Sequence, residues 1–298
     1  MVASRGTSPA HRPSGKSGHD VSAPSRYLGL ELSGAKSDKT TLAALEYYPR
    51  EKKTFLLDIH ERMGRSDRLT ADENLLEVID QNRANLAAIA VNVPLTLPPC
   101  LECTRKVCPH AGECNVAAIK WMRDTMKRVP RRNSAREFTA YTQRPIELWV
   151  RHHVFPELAE KSHFEIDESF GGNKAPLAAR MHFLKRHLRN VNLLEVWPKL
   201  TVAMIAERLD LPARFVTSYR DLEKGAHSRL EILEPLIEHF GVFVYEKDVK
   251  TMAQNLSAFD AFVCAFTGLL SDLEECEKPP KGFPIASGWV QYPKASHA

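Results

Sequence analysis

Residues 26–33, Arg-Tyr-Leu-Gly-Leu-Glu-Leu-Ser, are the stretch from which the fold can be worked out. They are rich in Leu and Tyr, which predicts a first β-strand. Two further runs, 40–47 and 53–59, are rich in Thr, Leu, Tyr and Phe and follow turn-forming segments. The three runs together predict a β-meander.

The chain after the meander alternates between helical and strand patterns. Residues 73–83 carry Leu75, Leu76 and Ile79 at helical spacing, and the apolar run 86–93 then suits a buried strand parallel to the first. A short strand over 192–197 is stopped by Pro198, which can open the next helix. Further helices are predicted over 115–127, 146–155, 175–188, 229–240 and 257–273. This order predicts an α/β fold.

The composition is that of a soluble globular protein. Of 298 residues, 43% are hydrophobic and 26% charged, which excludes disordered, collagenous and coiled-coil classes. No apolar run reaches the roughly 18 residues that a membrane span needs. The first 26 residues lack the apolar block of a secretory signal, so they predict a disordered tail, a cytoplasmic location and one domain over 27–298.

The positive charge is concentrated in one segment. The net charge is +4, but the window 120–136 alone carries +6. Such a patch can face the phosphates of a nucleic acid. The candidate phosphate-binding residues are Arg123, Lys127, Arg128, Arg131 and Arg132. The alternative is a solvated helix followed by a mobile turn.

Four of the six cysteines, Cys100, Cys103, Cys108 and Cys114, lie within 15 residues. Four thiolates can close a tetrahedral Zn²⁺ site or hold an iron–sulfur cluster. The pair Cys100 and Cys103 suits both, although the full spacing matches no ferredoxin pattern. The segment 99–115 is therefore predicted to be a Cys-rich, metal-binding insertion. The alternative is a reduced or disulfide-linked loop, while Cys264 and Cys276 are expected to be ordinary packed or surface thiols.

Several short motifs occur in an order that resembles a known family. They are Gly-Leu-Glu-Leu-Ser-Gly-Ala-Lys at 29–36, Val-Asn-Val-Pro-Leu at 91–95, Thr-Gln-Arg-Pro-Ile-Glu at 142–147, Leu-Glu-Val-Trp-Pro at 194–198, Phe-Asp-Ala at 259–261 and Gly-Trp-Val-Gln-Tyr-Pro at 288–293. Over residues 27–293 the chain resembles the domain-of-unknown-function family numbered 429, whose members are predicted RNase H-like nucleases.

The resemblance implies an RNase H-like mixed sheet flanked by helices, with an acidic cluster at the strand ends. Glu31, Glu195 and Asp260 match the carboxylates that would hold Mg²⁺ or Mn²⁺, and Asn92 would complete the ligand shell. Hard oxygen ligands suit these ions, and two such ions can drive phosphodiester cleavage. Lys36, in the first hairpin, would engage phosphate near this cluster.

Two residues depart from the family pattern. Glu31 is one methylene longer than the usual Asp, and neutral Asn92 stands where relatives carry Asp, so metal binding is weakened or catalysis is lost. The function is then either a metal-dependent nuclease or a catalytically weakened nucleic-acid-binding, scaffold or redox-sensing protein. The alternative interpretation is that the three carboxylates are structural: Glu31 faces solvent, Glu195 pairs with an Arg, and Asp260 caps a helix or forms a salt bridge on it. Arg144 and Glu147 either pair with each other or hold a phosphate.

Overall fold

The computed structural model describes residues 23–128 and 138–295 of the chain. Its described part is an α/β fold built on a mixed sheet of seven strands with helices on both faces. The strands are β1 (Ser25–Glu31), β2 (Thr41–Tyr48), β3 (Lys53–His60), β4 (Leu86–Val91), β5 (Leu193–Val196), β6 (Val242–Phe243) and β7 (Val290–Gln291).

The helices follow the predicted segments closely, with three additions among the described residues, one in the Cys-rich segment and two in the C-terminal third. They are α1 (Ala71–Gln81), α2 (His110–Glu113), α3 (Ala117–Arg128), α4 (Pro145–Trp149), α5 (Lys174–Leu184), α6 (Pro198–Arg208), α7 (Ala213–Ser218), α8 (Gly225–Phe240), α9 (Glu246–Gln254) and α10 (Leu256–Asp272). The predicted helix over 146–155 is irregular, because α4 continues as a π-helix, Val150–Val154, and then as a 3₁₀ turn, Phe155–Glu157.

The strand order across the sheet is β6-β3-β2-β1-β4-β5-β7. The pairs β1–β2 and β2–β3 are antiparallel, as a meander requires. The pairs β1–β4, β4–β5 and β5–β7 are parallel. The prediction of a meander followed by a strand parallel to β1 is therefore confirmed, and the ends of β1, β4 and β5 lie at the same edge of the sheet.

Each face of the sheet packs against a different helical layer. On one face α10 crosses β1, β2 and β4, and every residue from 258 to 270 is buried there. On the other face Leu28, Leu30 and Val91 form a core with Met181 and Leu184 of α5 and with the apolar side of α1. Because side chains alternate along a strand, Gly29 and Glu31 face α10 whereas Leu28 and Leu30 face α5.

The contact between β1 and α10 is closest at Gly29. A methyl group added at this position would lie 1.9 Å from the carbonyl oxygen of Ala261 and 2.3 Å from the amide nitrogen of Ala265. Both atoms belong to the backbone of α10, so neither can rotate away. Only a residue without a side chain allows the helix to lie this near the strand.

Cys264 and Cys276 are buried, as expected for packed thiols. Among the described helices, none has both the length and the apolar character to cross a membrane.

We expect Gly29→Ala to destabilise the fold by on the order of 3 kcal/mol, because the new methyl group forces the backbone of α10 away from β1. Gly268→Ala is the matched control, since its added methyl would lie 3.4 Å from Ala90 Cβ, an ordinary contact. That change should be neutral or stabilising by up to about 1 kcal/mol, because Ala favours a helix over Gly. Chemical denaturation measures both, and equal effects would contradict the close approach at Gly29.

Candidate active site

A cleft opens at the edge of the sheet where β1, β4 and β5 end. Its volume is about 860 Å³, and its wall includes Glu31, Asn92 and Trp197, which end β1 or directly follow β4 and β5. Ligands of sheets with parallel strands commonly bind beyond the carboxyl ends of those strands. The cleft is therefore the candidate active site, and the first two residues are among those predicted from the sequence.

Glu31 and Asn92 are joined by a hydrogen bond. The Asn92 amide Nδ2 donates to Glu31 Oε2 at 2.7 Å. Lys174 Nζ, at the start of α5, lies 3.4 Å from both Asn92 Oδ1 and the Asn92 carbonyl oxygen. Lys174 thus places its ammonium group beside Asn92, whose amide binds the Glu31 carboxylate.

Asp260, on α10, lies close enough to Glu31 to interact with it electrostatically, and it is completely buried. Its Oδ2 accepts a hydrogen bond from Arg220 NH1 at 2.5 Å, and the Arg220 side chain lines the cleft. Its Oδ1 has no hydrogen-bond partner among the described residues. An unpaired buried carboxylate oxygen is costly, so this atom is a vacant acceptor beside the cleft.

The two carboxyl groups interact electrostatically. Burial, and then the negative charge of Asp260, raise the pKa of Glu31 to about 7, against the lowering effect of Lys174. Burial also raises the pKa of Asp260, although Arg220 opposes the rise. A carboxyl group that titrates near neutral pH can both accept and donate a proton under physiological conditions.

Glu195, the third predicted metal ligand, does not join this pair. Both of its oxygens accept hydrogen bonds from Arg144, at 2.8 and 2.6 Å. Oε2 also accepts from the Leu95 amide and Oε1 from the Trp197 indole nitrogen. All of the acceptor capacity of the carboxylate is therefore used inside the protein, as in the alternative in which Glu195 pairs with an Arg.

The direction of the Glu195 side chain explains this outcome. Glu195 pairs with Val91 in the sheet, and Val91 pairs with Leu30. Leu30 and Val91 both face α5, so Glu195 points to that face as well. Glu31 points to the α10 face. The strand alternation thus points the Glu195 side chain away from the face on which Glu31 and Asp260 meet.

Arg144 is not a phosphate ligand either. It is completely buried, and Glu147 is its second carboxylate partner, with Oε1 accepting from Nε at 3.1 Å and from NH2 at 3.0 Å. NH1 also donates to Thr96 Oγ1. All five N–H groups are used, so this group is an internal clamp that ties α4 to β5.

Lys36 is exposed in the β1–β2 hairpin and is not among the residues that line the cleft. Lys36 was predicted to lie near the acidic cluster, but the structure does not bring it to Glu31 and Asp260.

The basic window contributes nothing to the cleft in the part of the chain that the structure describes. Arg123 NH1 donates to the carbonyl oxygens of Ala111, Gly112 and Cys114, so its charge holds the Cys-rich loop rather than phosphate. Lys127 makes an exposed pair with Asp124, and Arg128 is exposed at the end of α3. Arg131 and Arg132 lie outside the described residues.

The four thiols of the Cys-rich loop are near one another. Burial raises the pKa of Cys100, and the charges of Cys108, Cys114 and Cys103 raise it further. Cys114 is buried, whereas Cys103 and Cys108 are exposed. Within residues 23–128 and 138–295, no group of three or more His, Cys, Asp or Glu side chains is in position to hold a metal ion.

Two residues of the cleft were missed by the sequence analysis. Lys174 follows Gly171, Gly172 and Asn173, and a glycine-rich turn before a lysine and a helix was the available signal. Arg220 follows the short helix α7, and its pairing with Asp260, 40 residues further on, has no local signature.

Comparison of the chain with protein-family models, with curated proteins and with solved structures gives no match. The resemblance to the family numbered 429 thus stays a prediction from the motifs.

We expect the stability of the protein to fall as the pH rises from about 4.5 to about 7. The native pKa of Glu31, about 7, exceeds its ordinary value of 4.5, so the native state binds more protons than the unfolded state in this range. One such group gives a slope of up to about 1.4 kcal/mol per pH unit.

Glu31→Gln should remove this contribution. The free energy of unfolding of the variant should therefore rise relative to that of the wild type between about pH 5 and about pH 8. Urea denaturation at both pH values measures the difference. Glu234→Gln, an exposed change on α8, is the control and should follow the wild type. Parallel stability curves for Glu31→Gln and the wild type would contradict the raised pKa.

Proposed function

We propose that the protein is a hydrolase of the RNase H-like type that cleaves phosphodiester bonds in nucleic acid at the Glu31–Asn92–Asp260 cleft. The observation that carries the proposal is the meeting of Glu31 and Asp260 at the ends of the central strands, 229 positions apart in sequence, with two cationic side chains beside them.

The sheet supports the fold assignment. Its strands β3, β2, β1, β4 and β5 are neighbours in that order, with β2 antiparallel to the others, and this agrees with the RNase H-like sheet that the motif resemblance implies. One member of the expected site is missing. Asn92, which directly follows β4, lies beside Glu31 as expected, whereas Glu195 of β5 is hydrogen-bonded to Arg144.

The residues of the cleft supply the parts that hydrolysis needs. Lys174 and Arg220 can bind the non-bridging oxygens of a phosphodiester. Ionised Glu31 can take a proton from the attacking water as its oxygen bonds to phosphorus, and the Glu31 carboxyl group protonated in this way can then give that proton to the departing oxygen as the P–O bond breaks. The partly protonated state of Glu31 near neutral pH suits both roles.

The donor set also suits a divalent cation. Asp260 Oδ1 is a buried oxygen without a partner, and carboxylate and amide oxygens are the ligands that Mg²⁺ and Mn²⁺ prefer. Glu31, Asn92 and Asp260 would hold the ion, which when bound would activate water and stabilise the leaving oxygen. Lys174 and Arg220 already balance the two carboxylates, so we expect weak affinity for the ion.

That charge balance favours a second candidate function, binding of nucleic acid without cleavage. Positive side chains close to both carboxylates can retain a phosphate while they reduce the attraction for a cation.

Cleavage of labelled single-stranded and duplex DNA and RNA with Mg²⁺ or Mn²⁺ tests the first proposal. Glu31→Gln and Asp260→Asn should each lower kcat by about 100-fold or more, the effect typical of losing an acid–base group. Glu234→Gln on α8 should keep wild-type activity, and circular dichroism checks that each variant is folded.

The absence of cleavage by the wild type with either metal ion would contradict the hydrolase. If such a protein still binds labelled nucleic acid in EDTA, and Lys174→Ala weakens that binding, the second candidate function is supported instead.

We also propose that the loop of Cys100, Cys103, Cys108 and Cys114 closes around Zn²⁺ or an iron–sulfur cluster. Its support is the proximity of the four thiols and the clamp of Arg123 on three loop carbonyls. Elemental analysis should find one zinc, or iron with sulfide, per chain.

The double change Cys103→Ser and Cys108→Ser should abolish this metal content, and Cys276→Ser should not. A folded, metal-free protein in which all four loop thiols react with a thiol reagent would contradict the site.

A further inference from the structure

The cleft has an aromatic wall that the chemistry of hydrolysis does not use. Phe155, Phe164 and Trp197 all line it and are partly buried. Phe164 meets the ring of Phe155 edge-on, with centroids 5.0 Å apart, and His163 stacks on Phe155 at 4.7 Å. The rings therefore support one another in fixed orientations.

An irregular helix places two residues of this wall. The chain passes from α4 into the π-helix Val150–Val154 and then into a 3₁₀ turn that begins at Phe155. π-helical turns are rare and occur frequently at functional sites. Here the segment turns both Arg151 and Phe155 toward the cleft. Within the described chain, the Arg151 guanidinium makes no hydrogen bond or ion pair.

Polar side chains of both signs line the cleft. Lys174 and Arg220 interact with Glu31, and they suit a phosphate. Glu165 and Asp167, which flank Ile166 and follow Phe164 in sequence, line the cleft as well, and Lys199 pairs with Asp167. Carboxylates there repel further phosphates but can accept hydrogen bonds from the amino groups of a base.

The size of the cleft limits what can enter it. About 860 Å³ lies in the range of pockets that enclose a small ligand. A base inside a duplex hides its faces in the stack, whereas a single-stranded or free nucleotide can present its ring to aromatic side chains.

We infer that the cleft binds one nucleotide monophosphate unit, with the base against the wall of Phe155, Phe164 and Trp197 and the phosphate between Lys174 and Arg220. The inference rests on the proposed function for the location of the site, and it adds the substrate class. The unit comes either from a single strand of nucleic acid or from a free mononucleotide.

Calorimetric titration tests the inference without any cleavage. Adenosine 5′-monophosphate should bind the wild type at least about tenfold more tightly than ribose 5-phosphate, since stacking of one base on an aromatic side chain has an effect of this size. Equal affinities, or no binding of the nucleotide at millimolar concentration, would overturn the inference.

Phe164→Ala should lower the affinity for the nucleotide by about tenfold and leave ribose 5-phosphate unchanged. Phe243→Ala, a half-exposed phenylalanine on β6 at the far edge of the sheet, is the matched control and should change neither. A Phe164→Ala variant that binds the nucleotide as the wild type does would also overturn the inference.

Two further ligands identify the source of the nucleotide. Tighter binding of phosphorothioate-linked pentathymidylate than of thymidine 5′-monophosphate supports a single strand, and equal binding supports a free nucleotide. A blunt duplex that binds as tightly as the single strand overturns the inference. If nucleotide binding follows these expectations but no substrate is cleaved, only the hydrolase proposal fails. If Glu31-dependent cleavage occurs without base preference, only the base subsite fails.

Discussion

The candidate site depends on the close approach of α10 to β1 at Gly29. Glu31 lies two residues beyond Gly29 on the same face of the strand, and Asp260 precedes Ala261, whose carbonyl faces Gly29. The backbone contact therefore fixes the two carboxyl groups near each other, with Asp260 buried and Glu31 at the wall of the cleft. The loss of water, and then the repulsion by Asp260, raise the pKa of Glu31 and keep it partly protonated near neutral pH.

Two sets of charged side chains near Glu31 and Asp260 have different roles. Lys174 and Arg220 face the cleft and balance Glu31 and Asp260, so the site can receive a phosphate. Arg144 also lines the cleft, but it uses its whole guanidinium to hold Glu147 and Glu195. Removing one member of a buried pair leaves an uncompensated charge, so this group of three side chains stabilises the wall of the cleft.

Most of the sheet could be predicted from the sequence because the residues of strands β1 to β5 form recognisable local patterns. Alternating and continuous apolar runs marked β1 to β5, and Pro198 marked the start of α6. The two-residue strands β6 and β7 were missed, since their pairing with β3 and β5 depends on tertiary contacts alone. Glu31, Asn92 and Asp260 were found through the motifs that resemble the family numbered 429.

Glu195 looked the same in sequence, and only its partner, Arg144, 51 positions away, distinguishes it. Lys174 and Arg220 escaped prediction for the converse reason, because their importance comes from neighbours that are distant in the chain.

A ¹³C NMR titration of the glutamate carboxyl groups tests the central claim most directly. One glutamate, absent from the spectrum of Glu31→Gln, should titrate with a pKa of about 7, and this pKa should fall in Asp260→Asn, where the neighbouring negative charge is gone. If Glu31 titrates at its ordinary value, or if its pKa is the same in Asp260→Asn, the two carboxyl groups do not share a buried site and the account is wrong.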